Sequence, residues 1–233
     1  MAKLNLSGEL IPDEWAETYR YFGIQTGYYC PADVRAAIDG LEPGEELVLQ
    51  INSVGGSVDG GTEIYSIIQG CGHPVRVEIQ SLAASAASYM IMAADRIAIS
   101  VPAQMMIHRV SWGVSGNAAD HQWAAQQLQT TDESILDTYV SRCGEEHREE
   151  LRRMMEEETY LSARQCLELG LADEILGADQ EEDSQAELLV ASVTGNVVRA
   201  MSTLPDIRDL IARRDREREA SRDRLELEKA RYI

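Results

Sequence analysis

A serine and a histidine in this chain have the residue types and the surroundings that nucleophilic catalysis requires. Ser85 lies in segment 81–95 (SLAASAASYMIMAAD), where small residues crowd around it and an apolar run typical of a helix follows. Unpaired N–H groups at the first turn of a helix favour negative charge nearby. His108 follows residues 104–107 (QMMI), a predicted strand. Because a serine needs a base to take its proton, and a carboxylate must orient that base, the set predicts a catalytic serine, a histidine and an acid.

The other histidines and a second serine are weaker candidates. His73 precedes a proline in a predicted turn, while His121 and His147 lie on polar, helical segments. Ser88, one helical turn after Ser85, is the alternative nucleophile. Only Ser85 lies where the turn of small residues meets the start of the helix, so we expect Ser85 to be the reactive residue.

The elements that must position these residues follow the order typical of an α/β protein. Strands are predicted over 4–10, 47–51, 75–79, 96–101 and 104–107, and helices over 31–38, 60–69, 117–142, 145–157 and 163–169. This alternation predicts a parallel sheet, whose ligand sites lie beyond the carboxyl ends of its strands. The pair Gly55-Gly56 and Ser85 both follow such strand ends, which is the first indication of function.

Composition and charge exclude several classes of protein. The chain has 233 residues and a net charge of −19, and residues 1–204 alone carry −20, from 12 Lys or Arg and 32 Asp or Glu, so nucleic acid and anionic lipid are disfavoured as partners. No apolar run is long enough for a membrane span, and the first residues do not resemble a signal peptide. The chain has four cysteines, which are Cys30, Cys71, Cys143 and Cys166. They form no CxxC pair, so the sequence indicates neither a zinc site nor a disulfide framework. We expect a cytoplasmic protein without metal or cofactor.

Four motif blocks occur in order between residues 4 and 176. They are INSVGGSVDGG (51–61), LAASAAS (82–88), PAQMMIH (102–108) and ETYLSARQCLELGLADEIL (158–176). In these blocks the chain resembles the Clp-type serine protease family, most closely its phage-borne branch, the ClpP-like head maturation (prohead) proteases. The resemblance implies a crotonase-like α/β fold of repeated ββα units with a long protruding helix, in subunits that form homo-oligomeric rings.

The resemblance also implies a role for each site residue. Ser85 matches the nucleophile and His108 the general base, and the backbone N–H groups of Gly56 and Ala86 would form the oxyanion hole. Glycine suits position 56 because a chain without a Cβ atom can turn sharply and present its N–H to a substrate.

Two departures from the family pattern concern the acid and the glycine turn. The family's acid is usually aspartate, whereas this chain offers Glu158, with Glu156 and Glu157 as adjacent alternatives. Val54 replaces the proline that is common before the two glycines, which changes the stiffness of the turn slightly. A Ser85–His108–Glu158 triad is the resulting expectation.

The chain is divided by its composition into a protease domain (1–176), an acidic linker (177–185) and a charged, helical or disordered extension (186–233). Because it begins a few residues before its first strand, there is little room for the segment that helps Clp peptidases to engage an ATPase, and an ATPase partner is therefore doubtful.

We expect a serine endopeptidase that cleaves capsid or scaffold proteins in the phage prohead, with the extension as a tether. Helix 117–142 carries more apolar surface than a fully solvated helix needs, so the helix is the candidate for an oligomer contact. Its apolar residues include Trp123, Leu128, Ile135, Leu136 and Val140.

Other functions remain open or are excluded by residue content. A bacterial Clp-type subunit working with an ATPase and a catalytically silent ring-forming assembly protein are the alternatives. A signal-peptide-peptidase-type Ser/Lys protease lacks its base, because Lys3 and Lys229 are the only lysines and lie near the ends of the chain. An acyl-CoA enzyme of the crotonase type is disfavoured, because its site for the phosphate groups of the cofactor would lie on an acidic surface. Cleavage specificity, ring size and self-processing of the extension are left open.

Overall fold

A sheet of eight strands organises residues 1–177, which are the residues that the computed structural model describes. The strands are β1 (Ala2–Leu10), β2 (Tyr28–Tyr29), β3 (Leu47–Gly56), β4 (Val75–Ala84), β5 (Arg96–Ser100), β6 (Gln104–Ile107), β7 (Thr159–Ser162) and β8 (Glu174–Leu176). The helices are α1 (Asp13–Tyr21), α2 (Pro31–Asp39), α3 (Val58–Gly70), α4 (Ala86–Tyr89), α5 (Ala118–Cys143), α6 (Arg148–Glu156) and α7 (Ala163–Glu168). Short 3₁₀ segments follow α4 (Met90–Ala93) and α5 (Glu145–His147).

The strand order is β2-β1-β3-β4-β5-β8, and every neighbour in this order is parallel. The strand β4 changes partner along its length: its first half pairs with β5, and its last residues pair with β6, where Ala84 lies opposite Met106. β6 in turn pairs antiparallel with β7. This branching brings the carboxyl ends of β4 and β6 together, directly before Ser85 and directly before His108.

The mixed α/β class and the parallel sheet agree with the sequence prediction, but two strands continue past their predicted carboxyl ends. β3 continues to Gly56 and β4 to Ala84, so the segment predicted as a glycine turn is the end of a strand. The ladder to β1 explains this difference, because Gly55 and Gly56 pair with Glu9 and Leu10 after a register shift. A local pattern could not show that the neighbouring strand is long enough to pair with the glycines.

The long helix α5 contributes more to the chain's own core than its sequence suggests. Ile135, Leu136 and Val140 are buried in the main core, whereas Trp123 is 58% exposed and Leu128 is half-buried. The interpretation of all five as surplus apolar surface is therefore wrong for the three buried residues. Trp123 and part of Leu128 remain accessible on this helix.

The last described residue is Gly177, so residues 178–185 of the predicted linker and the charged extension lie outside the described residues. No helix within residues 1–177 is long and apolar enough to cross a membrane.

Candidate active site

Ser85 lies in a sharp turn between a strand and a helix, after β4 and directly before α4. Its backbone has φ 55° and ψ −127°. Within residues 1–177, only Ser85 and Glu158 are non-glycine residues with positive φ. Such a conformation costs about 1–3 kcal/mol and is typical of functional sites. It is retained here because the Ser85 N–H donates to the carbonyl of Met106 on β6, at 2.9 Å.

His108 directly follows β6, and its side chain meets that of Ser85. The Nε2 atom of His108 lies 2.7 Å from the Oγ atom of Ser85. Both residues are half-buried, so the pair is shielded by the fold yet reachable from solvent. Adjacent strand ends thus place a base within hydrogen-bonding distance of a serine hydroxyl, which is the geometry that nucleophilic catalysis needs.

The segment after His108 is held by α5 and by the end of α6. The carboxylate of Asp132 accepts hydrogen bonds from Nε of Arg109 (2.9 Å) and from the N–H of Val110 (2.7 Å). The N–H of Arg109 donates to the carbonyl of Met155. Asp132 was not among the residues singled out from the sequence. The signal was available, because this charge shares a helix face with buried Ile135 and so lies where an unpaired carboxylate would be unfavourable.

Glu158 lies near His108 across the β6–β7 pair, but no side-chain contact joins them. Thr159 pairs with Ile107 in the β6–β7 ladder, so Glu158 and His108 occupy the next positions on each strand. Glu158 is exposed and has φ 53°. Glu156 and Glu157 are also exposed. Among residues 1–177, no carboxylate lies within hydrogen-bonding or ion-pairing distance of His108.

Two glycines at the end of β3 allow this strand to pass directly beside the Ser85 turn. A Cβ atom on Gly55 would lie 2.5 Å from the carbonyl oxygen of Ala84 and 2.7 Å from the Cβ atom of Ser85. A Cβ atom on Gly56 would overlap the carbonyl oxygen of Leu10. Both glycines have positive φ (88° and 148°), which is unfavourable for other residues. Glycine is therefore required at both positions by the close approach of the backbone.

A buried serine fixes the position of this glycine segment by hydrogen bonds. Ser53 is 2% exposed, and its Oγ atom accepts from the N–H of Gly55 at 3.1 Å and donates to the carbonyl of Gly8 at 2.7 Å. The hydroxyl of Tyr29 donates to the same Oγ atom at 3.0 Å. Neither Ser53 nor Tyr29 was singled out from the sequence, because their contact joins β3 to the distant strand β2.

The alternative nucleophile, Ser88, is fully buried. Its Oγ atom donates to the carbonyl of Ser85 at 2.6 Å and lies 2.6 Å from the hydroxyl of Tyr139. A substrate carbonyl cannot reach a hydroxyl that is enclosed and hydrogen-bonded in this way. These contacts favour Ser85 over Ser88 as the reactive serine.

A cavity of about 150 Å³ opens at the Ser85–His108 pair. Gly56 and Ala86, the two residues expected to form the oxyanion hole, line it together with Ser85 and His108. The rest of its wall is mostly apolar or aromatic. These wall residues are Val58, Tyr89, Val110, Ser111, Ile135 and Tyr139. Within the described part of the chain, no group of three or more His, Cys, Asp or Glu residues could hold a metal ion.

Comparison with known proteins gives consistent matches. A family model described as Clp protease matches residues 36–179. The ATP-dependent Clp protease proteolytic subunit 1 of Chlamydia muridarum is 36% identical over 138 residues, which is 58% of this chain and 71% of that protein. The proteins of the same name from Chlamydia trachomatis serovar D and Chlamydia abortus are 34% and 33% identical over the same shares. The family model begins within α2, so β1, α1 and β2 precede the matched region.

Proposed function

Because this chain belongs to the Clp protease family, we propose that it is a serine endopeptidase with Ser85 as nucleophile and His108 as general base. The observation that carries this proposal is the distance of 2.7 Å between Ser85 Oγ and His108 Nε2. The positive φ of Ser85 adds support, because a strained strand-to-helix turn presents a nucleophile at the end of a sheet.

In the proposed mechanism, His108 takes the hydroxyl proton as Ser85 Oγ attacks the carbonyl carbon of a substrate peptide bond. The carbonyl oxygen becomes negatively charged, and the N–H groups of Gly56 and Ala86 stabilise it. His108 then gives the proton to the leaving amine, which breaks the peptide bond and leaves an acyl group on Ser85. Water, activated by the same histidine, releases the acyl group. Loss of one oxyanion donor typically lowers turnover about 100- to 1,000-fold.

Glu158 completes the proposed triad as the residue that orients His108. Its support is its match to the family's acidic position and its place beside His108, one position beyond the last pair of the β6–β7 ladder. The carboxylate has to turn toward the free ring nitrogen of His108 when substrate binds. Catalytic hydrogen bonds are often long in a free enzyme and tighten in the substrate complex.

The proposal extends to a biological role as a phage head maturation protease. In this role the chain forms a homo-oligomeric ring, has the crotonase-like fold of repeated ββα units with α5 protruding, and cleaves capsid or scaffold proteins in the host cytoplasm or the prohead. Its support is the resemblance of the four motif blocks to prohead proteases, together with a charged extension (186–233) that follows an acidic linker.

A second role is favoured by the names of the relatives. All three chlamydial proteins are described as ATP-dependent proteolytic subunits. In this role the chain degrades proteins that an ATPase unfolds for it. The two roles differ in one measurable respect: a maturation protease cleaves its target in the absence of any ATPase.

Labelling with a fluorophosphonate tests the proposed chemistry directly. We expect one adduct per chain, mapped to Ser85 by peptide analysis and lost in Ser85→Ala and His108→Ala. His121→Ala, which changes a histidine on the exposed start of α5, should label like the wild type. An adduct on another serine, or full labelling of His108→Ala, would overturn the assignment. A chain that no fluorophosphonate labels, even in its oligomeric fraction, would be a silent assembly protein.

A truncation that ends at Gly177 tests the role of the extension. The shortened chain should keep its fluorophosphonate labelling and lose incorporation into proheads. Normal incorporation would contradict the tether. Cleavage of capsid or scaffold protein by the purified full chain supports the maturation role, whereas cleavage only with an added ATPase supports the second role.

A further inference from the structure

The backbone of Ser85 needs support from outside its own turn. Its φ of 55° and ψ of −127° are unfavourable for a residue with a side chain. The N–H of Ser85 donates a hydrogen bond to the carbonyl of Met106, which fixes the peptide unit on the N-terminal side of Ser85. The orientation of its carbonyl group must be fixed as well, because rotation of either peptide unit would move the Oγ atom away from His108.

Ser88 supplies this second point of support. The carbonyl of Ser85 accepts the N–H of Ser88 at 2.9 Å and the hydroxyl of Ser88 at 2.6 Å. The Ser88 side chain is fully buried, so water does not compete for the hydroxyl. The carbonyl of Ser85 is therefore held by a hydroxyl that can form hydrogen bonds only with other protein groups and not with solvent.

The direction of the next hydrogen bond follows from the count of protons. Ser88 has a single hydroxyl proton, which it donates to Ser85, so in the 2.6 Å contact between Ser88 and Tyr139 the tyrosine must donate. Tyr139 is 1% exposed, and its burial raises the pKa of its hydroxyl, which therefore keeps its proton. Two directed hydrogen bonds thus connect α5 to the carbonyl of the nucleophile.

We propose that the hydroxyl of Tyr139 is a positioning group for Ser85 and acts through Ser88; this proposal rests on the function proposed above. Packing alone does not require this hydroxyl, because a phenylalanine would fill the same space in the core. Hydrogen bonds in series also polarise one another, so the tyrosine strengthens the bond that Ser88 makes to Ser85.

The same helix also holds the base. Asp132 is bonded to the two residues after His108, and Tyr139 follows it by two turns of α5 on the same helix face. Asp132 and Tyr139 are thus both fixed by a single rigid element. In this arrangement the relative position of Ser85 and His108 depends on the position of α5.

Kinetic measurement of single and double variants tests the proposal. Tyr139→Phe and Ser88→Ala should each lower kcat per active site about tenfold and leave KM within about twofold, as expected for loss of one hydrogen bond. The double variant should be no slower than the slower single variant, because the two hydroxyls act in series. Thr138→Val, which removes a hydroxyl bonded within the same helix, is the matched control. A kcat of Tyr139→Phe within twofold of the wild type, or losses that multiply in the double variant, would overturn the proposal.

Hydrogen exchange tests the same proposal without enzymatic activity. Amides of the peptide 84–90 should exchange about tenfold faster in Tyr139→Phe than in the wild type, while Thr138→Val should not differ. Unchanged exchange would reject the positioning role of Tyr139. A wild-type chain that is not labelled at Ser85 would instead reject the proposed function, so the two failures are distinguishable.

Discussion

The carboxylate of Asp132 accepts a hydrogen bond of 2.9 Å from Nε of Arg109, the residue directly after His108. Its second oxygen accepts the N–H of Val110 at 2.7 Å. Asp132 is 8% exposed, so these bonds lie at the edge of the core. The end of β6 is therefore attached to α5 by a buried acid, and the histidine ring is carried by a segment that cannot move independently of that helix.

Replacing Asp132 should weaken both the fold and the site. Asp132→Ala leaves the N–H of Val110 and the Arg109 guanidinium without their partner, which should lower the free energy of unfolding by about 1–3 kcal/mol. Urea denaturation measures this loss, and the rate of fluorophosphonate labelling at Ser85 should fall with it.

The control for Asp132 is Asp137 on the same helix. Asp137 is 62% exposed and pairs with Arg148 at the surface. Asp137→Ala should lower the free energy of unfolding by less than about 1 kcal/mol, because solvent screens exposed pairs. Equal losses in the two variants would contradict a structural role for Asp132 beyond that of a surface charge.

Three adjacent glutamates allow a direct test of the proposed acid. Glu158→Gln should lower kcat by at least about 100-fold, since loss of a triad acid lowers turnover by up to about 10,000-fold. Glu156→Gln and Glu157→Gln should remain within about twofold of the wild type. All three variants keep the size of the side chain, so a difference in steady-state kinetics reports the charge alone. If Glu157→Gln has the large effect, the acid has been assigned to the wrong residue.

Gly55 and Gly72 separate the effect of a close approach from that of backbone conformation. Both have positive φ (88° and 71°), but a Cβ atom on Gly72 would meet nothing within 4 Å. Gly72→Ala should therefore lower the free energy of unfolding by only about 1–2 kcal/mol, which is the cost of a positive φ for a residue with a side chain. Gly55→Ala should lose at least twice as much in urea denaturation and should label slowly, because its methyl group displaces the Ser85 turn. Similar stability of the two variants would show that β3 can move away from Ser85 without penalty.

Desolvation should keep three of the four thiols protonated and slow to react in the native protein, although Cys143, like Cys71, is only half-buried. Desolvation raises the pKa of Cys30 and Cys143 to about 11 and that of Cys166 to about 12 from an ordinary value of 9.0. At pH 8 these groups stay protonated, so Ellman's reagent should react quickly only with half-buried Cys71, and with all four thiols after denaturation. Cys71→Ser should remove the fast reaction. Fast reaction of two or more thiols would contradict the raised pKa values of Cys30, Cys143 and Cys166.

The same thiols predict how stability changes at high pH. Above about pH 9 the unfolded chain loses thiol protons that the folded chain keeps, so the unfolded state binds fewer protons. The free energy of unfolding should therefore fall as the pH rises from about 9 toward 12. Urea denaturation at several pH values measures this slope, which should become smaller when Cys166 is replaced by alanine.

The sequence predicted those parts of the site that depend on strand order. Ser85 and His108 both follow predicted strands, and parallel strands end at one edge of a sheet, so their proximity could be expected before the structure was known. The choice between Ser85 and Ser88 also had a local basis, the start of α4. These features depend on periodicity and small residues, which a single sequence displays.

The supporting contacts could not be predicted in the same way. Tyr29 with Ser53, and Tyr139 with Ser88, join residues 24 and 51 positions apart. Nothing in the local pattern of a helix or strand shows which distant hydroxyl will meet it. The exposed position of Glu158 was equally hidden, because a motif match gives the place of a residue in the chain and not the rotamer of its side chain.

The long separations within this fold have a consequence for the nascent chain. Ser85 and His108 are synthesised early, but Tyr139 follows Ser88 by 51 residues, and Glu174, which pairs with Arg76, follows it by 98. Parallel strands pair only after the intervening segments have been made, and such non-local contacts form slowly. In the proposed mechanism, a growing chain on the ribosome thus carries its nucleophile and base without the helix that aligns them.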